Sequence, residues 1–196
     1  MTVLMLIQHI NISIDLRVID LFKGELFSAQ CSVPSLIDGD STIKGSDAIS
    51  IYLIDKYAKE EQLYPMDQEK LSLIHSQLQF LNVHLHSNFL RLFESVISRN
   101  TLNSFDDIKA KIYNCYESLD LFLKDFNFMG GNVITIADFS CLPTMLCLNE
   151  VCLVDEKYSN LELWMSQMES LIFFDEVNEC AENLKILFKK SFKMCS

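Results

Sequence analysis

The spacing of the apolar residues changes partway along the chain, and this change constrains the fold more than any other feature. From about residue 66 onwards, apolar side chains recur every three or four positions, as they do in helices with one buried side. The longest of these stripes comprises Leu71, Ile74, Leu78, Leu81, Leu85 and Phe89. Before residue 62, helical and alternating periods are mixed. A small α+β unit over residues 1–62 is therefore predicted to precede an all-helical unit over residues 66–196.

Three apolar segments of different period make up the start of the first unit. Residues 3–10 are almost continuously apolar, which favours a short buried helix. In "SIDLRVIDL", residues 13–21, apolar and charged side chains alternate, which is typical of a strand with one buried face. Residues 32–37 and 41–44 flank an Asp-Gly-Asp turn and are predicted to pair as a β-hairpin.

A proline lies within the first predicted strand of this hairpin, and its presence there needs a particular reason. Pro34 has no amide proton to donate to a sheet, and strand interiors normally exclude it. The stretch "SDAISIYLIDKYAKEE" then predicts a helix with Ser46 as its N-cap. Ile49, Leu53 and Tyr57 form the predicted buried stripe of that helix, at steps of one turn.

Two capping boxes mark helix starts in the second unit. Ser104 and Asp107 have the required spacing at one start, and Thr135 and Asp138 have it at another. The Asp138 carboxylate is assigned a structural role, because it can accept a hydrogen bond from the Thr135 amide. The stretches "SNLELWMSQMESL" and "FDEVNECAENLKILFKKSF" predict two further helices.

Composition excludes several classes of function. The 196 residues carry a formal net charge of -11, which disfavours binding to nucleic acid and to anionic membrane surfaces. No apolar run reaches the length of about 18 residues that a membrane span needs, and the N-terminal segment is interpreted as a buried helix rather than a signal peptide. Seven Cys without a CxxC spacing indicate neither a disulfide framework nor a metal site. His84 and His86, two apart on a helix, cannot chelate one metal together.

Several stretches together resemble a known family. "SVPSLIDGD", "GSDAISIYLIDKYAKEEQLYP", "NVITIADFS" and "LELWMSQM" are similar to cytosolic glutathione transferases of the insect delta/epsilon type. The stretch "LRVIDLFKGELF" is closest in character to the epsilon class, including its noppera-bo branch, which is linked to steroid production. The resemblance covers nearly the whole chain. It implies a thioredoxin-like glutathione-binding domain over residues 1–62, with its first strand missing, followed by an all-helical domain over residues 66–196.

The resemblance also implies a glutathione site. Family members carry a cis proline after a valine whose backbone pairs with the cysteinyl part of glutathione, and Val33 and Pro34 match that motif. Ser46 matches the serine that binds the γ-glutamyl carboxylate, and Gln30 aligns with a glutamine of the site. Asp47 is a candidate for the ammonium group, or else a favourable charge at a helix N-terminus. Glutathione is expected as co-substrate, and no metal.

The sequence departs from the family where the chemistry would take place. "MTVLMLIQ" aligns with the middle of the family's first helix, so the catalytic serine before that helix has no counterpart and no catalytic residue is assigned. Cys31 stands in place of a histidine, and Gly45 in place of a glutamate. Two explanations stay open: an incomplete product of an ordinary transferase gene, or a divergent protein that kept the fold and lost catalysis.

For the apolar second substrate, the resemblance implies Phe89, Leu90 and Phe93 on the long helix. Three functions stay open: conjugation of glutathione to apolar electrophiles, non-enzymatic binding of apolar ligands such as steroids, and an assembly module of a larger complex. Whether the chain is an enzyme is thus undecided by the sequence. The family further implies a homodimer in the cytoplasm whose partners are glutathione and apolar small molecules.

Overall fold

The computed structural model describes residues 1–19, 33–58, 63–98, 105–170 and residue 186. Their elements, in chain order, are α1 (Thr2–His9), β1 (Ser35–Asp38), β2 (Ser41–Lys44), α2 (Ser46–Tyr57), α3 (Gln68–Phe80), a π-helical turn (Leu81–His86), α4 (Ser87–Ser98), α5 (Phe105–Leu123), α6 (Ile136–Asn149) and α7 (Ser159–Glu169). A small α+β part thus precedes a helical part, as the change of period predicts. The predicted roles of Gln30, Cys31 and Ser104, and the last predicted helix apart from residue 186, lie outside the described residues.

The predicted hairpin is confirmed. Strands β1 and β2 pair antiparallel with Ser35 opposite Lys44 and Asp38 opposite Ser41. Gly39 takes a φ of 57° in the turn between them, a left-handed conformation in which a side chain would be strained. The first strand begins at Ser35, so Val33 and Pro34 precede the ladder rather than lie in it. Pro34 therefore does not occupy a position at which the ladder requires an amide donor.

The predicted strand over residues 13–21 is wrong in its described part. Residues 12–19 have no regular secondary structure, and the described sheet has only β1 and β2. The side chains of Leu16 and Val18 are 56% and 86% exposed, so this alternation does not mark a buried face. A strand needs a neighbouring strand to accept and donate its ladder hydrogen bonds, and none of the described residues supplies one here.

Two details of α2 also differ from the sequence prediction. Gly45, not Ser46, is the N-cap residue, and Ser46 begins the helix itself. Ile49 and Leu53 are buried as predicted, but Tyr57 is 42% exposed. The Tyr57 hydroxyl donates to Asp38 Oδ2 over 2.6 Å, which draws the ring towards the hairpin instead of the core. An aromatic ring with a polar end can satisfy both preferences at a half-exposed position.

Asp38 fastens the hairpin to α2. Its Oδ2 atom accepts hydrogen bonds from Tyr52 Oη at 3.0 Å and Lys56 Nζ at 2.8 Å, in addition to Tyr57. These bonds, led by the one from Lys56, lower the pKa of Asp38 to about 2. The ionised form of Asp38 is accordingly more stable in the folded chain than in the unfolded one.

We expect the stabilisation by Asp38 to be lost in acid. Because the folded pKa is the lower one, the contribution is complete above the ordinary aspartate pKa of about 3.9 and disappears as the pH falls through about 2. The melting temperatures of the native chain and Asp38→Asn should therefore differ at pH 6 and converge towards pH 2. Asp40→Asn, in the exposed turn, serves as control and should show a small difference throughout. An Asp38→Asn difference that is as large at pH 2 as at pH 6 would contradict this account.

Helix α6 is the centre of the helical part and joins it to the first unit. It is buried along most of its length, and α1, α2 and α3 all pack against it. Met5 and Leu6 of α1 are fully buried in the same apolar core that contains Trp164 and Tyr116. The predicted N-terminal buried helix is therefore confirmed. None of the described helices is long and apolar enough to span a bilayer.

The predicted capping box at α6 is confirmed and forms part of a larger cluster. Asp138 Oδ2 accepts from the Thr135 amide at 2.8 Å, and the Thr135 hydroxyl accepts from the Ala137 amide at 3.3 Å. The other carboxylate oxygen accepts from the Met129 amide at 2.8 Å and from Trp164 Nε1 at 2.9 Å. Asp138 thus joins three separate segments, which extends its predicted structural role.

Candidate functional site

Val33, Pro34 and the N-terminus of α2 lie side by side. The Val33-Pro34 peptide bond is cis, as the resemblance implies. The Gly45 amide donates to the Pro34 carbonyl over 3.1 Å, so the hairpin returns the chain to the proline just before α2 begins. The Val33 side chain is 53% exposed. Three of the predicted site residues, Val33, Pro34 and Ser46, are therefore brought together at one accessible end of the hairpin.

The first turn of α2 offers hydrogen-bond donors at this position. Gly45 has a φ of 88°, which aims the chain into the helix, and no side chain among the described residues caps the first amides. The Ser46 hydroxyl is half-buried and has no hydrogen-bond partner within the described residues. Unpaired amides at a helix N-terminus, together with the helix dipole, favour a carboxylate or phosphate. The arrangement can therefore hold an anionic group beside Pro34.

The Asp47 carboxylate is occupied by contacts to the helical part. Its Oδ2 atom accepts from Asn82 Nδ2 at 2.7 Å, and its Oδ1 atom accepts from the Ser140 hydroxyl at 3.2 Å. Asn82 lies in the π-helical turn and Ser140 in α6. The predicted ligand residue Asp47 therefore links the start of α2 to two helices of the second unit.

His86 completes this network, and sequence reasoning missed it. Its Nδ1 atom lies 3.1 Å from Asn82 Oδ1, and its Nε2 atom lies 3.1 Å from the Ser140 carbonyl. Since both neighbours are acceptors, only the doubly protonated ring can donate to both. Burial nevertheless lowers the pKa of His86, against the opposite influence of the Ser140 carbonyl and Asp47. No motif around His86 signals this role, because its partners lie on other elements.

The residues predicted for an apolar substrate follow one turn later on α4. Phe89 and Phe93 are half-buried, and their rings stack with centroids 6.3 Å apart. Leu90 is 55% exposed. Phe89 and Phe93 lie one turn apart on the same side of the helix, whereas Leu90 is offset from them. The His86 network places the beginning of this helix beside the N-terminus of α2, because His86 lies three residues before Phe89.

Known structures share this architecture, although no family model matches the sequence. An epsilon-class glutathione S-transferase from the housefly, Musca domestica, is 29% identical with a TM-score of 0.91, over 97% of this chain and 92% of that one. A glutathione transferase homologue from Drosophila mojavensis, with bound glutathione, is 29% identical with a TM-score of 0.91, over 97% and 91%. A delta-class glutathione transferase from Nilaparvata lugens is 26% identical with a TM-score of 0.89, over 97% and 93%. The fold of this chain is thus that of the insect delta- and epsilon-class glutathione transferases along nearly its whole length, which confirms the resemblance found in the sequence.

Proposed function

We propose that this chain binds glutathione between the Val33-Pro34 peptide and the N-terminus of α2. The observation that carries the proposal is the hydrogen bond from the Gly45 amide to the Pro34 carbonyl, which holds the cis proline beside unpaired helix amides. The Drosophila mojavensis homologue, which has a similar fold, has bound glutathione. The glutathione bound to that homologue supports glutathione as the ligand of this chain.

The cysteinyl part and the γ-glutamyl carboxylate of glutathione each have a proposed partner. The Val33 backbone pairs with the cysteinyl residue, and Ser46 with the amides of α2 holds the γ-glutamyl carboxylate. Gln30, outside the described residues, is kept as a further ligand on the resemblance alone. We propose that Asp47 acts mainly by positioning α2, because both of its oxygens already accept hydrogen bonds from the helical part.

The proposed reaction is attack of the glutathione thiolate on an apolar electrophile held near Phe89, Leu90 and Phe93. No residue of this sequence is assigned to stabilise the thiolate. A cysteine thiol with its ordinary pKa of about 8.5 is only a few per cent ionised at pH 7. We therefore propose that conjugation is slow. We also propose, on the resemblance, that the chain acts as a homodimer in the cytoplasm. The rate of conjugation should rise about tenfold per pH unit from pH 6 to 8, whereas a plateau by pH 7 would contradict an unassisted thiol.

A second candidate is a non-enzymatic binder of apolar ligands, with steroids as the ligand class that the resemblance implies. The stacked, half-buried rings of Phe89 and Phe93 favour it, because apolar surface of this kind suits an apolar ligand. Saturable binding of a steroid without conjugation of any electrophile would select this candidate. Glutathione-dependent conjugation would select the first.

Glutathione binding is tested directly by thermal melting. At a concentration of about 100 times its dissociation constant, glutathione should stabilise the folded chain by about 2.7 kcal/mol. For a chain of this size that raises the melting temperature by several degrees. Ser46→Ala should reduce this shift, because it removes the hydroxyl beside the carboxylate. Ser41→Ala, at an exposed position of β2, is the matched control and should leave it unchanged. A cooperative melt that glutathione does not move would rule the proposal out.

A further inference from the structure

We propose that His86 acts as a pH-sensitive latch between α2 and the helical part: its protonated ring holds the first turn of α2 in place, and its neutral ring weakens that hold. The latch is a closed circuit of four residues, which are Asp47 of α2, Asn82 and His86 of the π-helical turn, and Ser140 of α6. Because these contacts exist without any ligand, the latch does not depend on the proposed function.

The chemistry of the four residues fixes the direction of each hydrogen bond in the latch. An ionised carboxylate only accepts, so Asn82 turns its Nδ2 group to Asp47 at 2.7 Å and its Oδ1 atom to His86 Nδ1 at 3.1 Å. The Ser140 hydroxyl donates to Asp47 at 3.2 Å, while the Ser140 carbonyl lies 3.1 Å from His86 Nε2. Both ring nitrogens of His86 therefore face acceptors, and the circuit is complete only when both carry a proton.

A neutral His86 ring has to give up one of its two contacts, and burial decides which one. Ser140 is 2% exposed, whereas Asn82 is exposed to solvent. A hydrogen bond is more costly to lose where water cannot replace it. The neutral ring therefore keeps its proton on Nε2, and its Nδ1 lone pair repels Asn82 Oδ1. Rotation of the Asn82 amide relieves this repulsion only by turning Oδ1 towards the Asp47 carboxylate, so the link from His86 to α2 weakens.

Both ends of the latch are held in a defined position. Leu81 and Leu85 are fully buried and anchor the π-helical turn, a rare conformation that is frequent at functional sites. Asn82 and His86 are four residues apart and lie side by side on the turn. At the other end, the Ile49 amide donates to the Gly45 carbonyl over 3.0 Å and closes the first turn of α2, which contains Asp47. The latch therefore acts on the turn that carries the candidate anion site.

The charges around His86 make the contact with α2 depend on pH. Among the described residues, Asp47 is the only charged group that influences the pKa of His86, and it raises that pKa. From α6 comes the Ser140 carbonyl, while Asp138 on that helix accepts from its own buried donors. The described groups of α3, α4 and α5, which also contact the turn, contribute no charge to this pKa. The state with Asp47 in contact thus binds the proton more tightly, so proton uptake favours that state.

The stability of the whole chain has the opposite dependence on the protonation of His86. Burial, the largest influence, lowers the pKa of His86 below its ordinary value of 6.5. Because the folded pKa is the lower one, proton uptake at His86 reduces the free energy of unfolding as the pH falls below about 6.5. The latch closes over the same range. A measurement that compares the first turn of α2 with a distant helix therefore separates the two effects.

Hydrogen exchange of two matched amides, followed by nuclear magnetic resonance from pH 5 to 8, tests this proposal on the native chain. The Ile49 amide donates to Gly45 in α2 and the Glu162 amide donates to Tyr158 in α7, each over 3.0 Å and each in the first turn of its helix. After correction for intrinsic exchange, protection of the Ile49 amide relative to the Glu162 amide should fall about threefold or more as His86 loses its proton. A ratio that stays constant through the His86 titration would overturn the proposal.

The nitrogen resonances of the His86 ring provide a second measurement on the native chain. They report the pKa of the ring and the nitrogen that carries the proton of the neutral form. We expect that proton on Nε2, where it donates to the Ser140 carbonyl. A neutral ring with its proton on Nδ1 would overturn the proposal, because the bond to Asn82 would then survive deprotonation.

Three variants show whether His86 acts through Asn82. His86→Gln removes the titrating group and should make the protection ratio independent of pH. Asn82→Ala should do the same while His86 still titrates, because it cuts the link to Asp47 without changing a charge. His84→Gln is the matched control, since His84 is an exposed histidine of the same turn, and it should keep the native dependence on pH. An unchanged pH dependence in His86→Gln or in Asn82→Ala would overturn the proposal.

Discussion

Replacing Asp138 by Ala is expected to lower the free energy of unfolding by about 3 kcal/mol or more. The carboxylate is fully buried and accepts from the Thr135 and Met129 amides and from the Trp164 indole. Alanine would leave these three donors buried without an acceptor, and each orphaned donor costs about 1–3 kcal/mol. The loss therefore exceeds that of an ordinary helix cap, which is about 1 kcal/mol.

Urea denaturation of the native chain, Asp138→Ala and Asp138→Asn measures this effect. Asp138→Asn should fall between the other two, because the amide keeps one accepting oxygen and avoids the burial of charge that raises the pKa of Asp138 to about 6. Asp106→Ala is the matched control, since Asp106 is an exposed carboxylate in the first turn of α5. A loss for Asp138→Ala no larger than that for Asp106→Ala would show that the buried cluster contributes nothing beyond the cap.

Local spacing is sufficient to predict part of the Asp138 cluster. Thr135 and Asp138 are three residues apart, and a capping box depends only on that spacing. Trp164 lies 26 residues further along the chain, and its contact exists only once α7 packs against the rest. The sequence therefore predicts the cap, while the free energy associated with Asp138 depends on tertiary structure that the local pattern does not contain.

The alternation at residues 13–19 is a local pattern that predicts the wrong structure. Its period is that of a strand, but a strand is stable only beside a partner, and Leu16 and Val18 are exposed in a segment without one among the described residues. The helical stripes succeed where this alternation fails, because a helix satisfies its own backbone hydrogen bonds. Leu81 and Leu85, for example, are fully buried as predicted, even though they lie in a π-helical turn.

The candidate site likewise has some features that a local motif predicts and others that depend on tertiary structure. The cis bond at Val33-Pro34 and the closeness of Ser46 follow from a motif within one short stretch, so the resemblance could predict them. The contacts of Asp47 reach across 35 residues to Asn82 and 93 residues to Ser140. No pattern of spacing contains such pairs. The role of His86 could not be predicted for the same reason.

Replacing Asp47 by Ala is the second change with a large expected effect. It removes two hydrogen bonds to a partly buried carboxylate and leaves the Asn82 amide and the Ser140 hydroxyl without their acceptor. We expect a loss of about 2 kcal/mol in the free energy of unfolding, measured by urea denaturation. The pKa of His86 should fall further, because the Asp47 charge is one of the influences that raise it. Nuclear magnetic resonance of the ring protons follows that titration.

The same variant separates the two roles open to Asp47. If it positions α2, Asp47→Ala should destabilise the chain while the affinity of the folded form for glutathione changes by less than about threefold. If it binds the γ-glutamyl ammonium, the affinity should fall about tenfold or more, as expected for a charge-assisted hydrogen bond. Asp40→Ala, an equal change of charge in the exposed hairpin turn, controls for long-range electrostatics. Because both Asp47 oxygens already have donors in the helical part, a ligand ammonium would have to compete with Asn82 and Ser140, and the first outcome is the one expected.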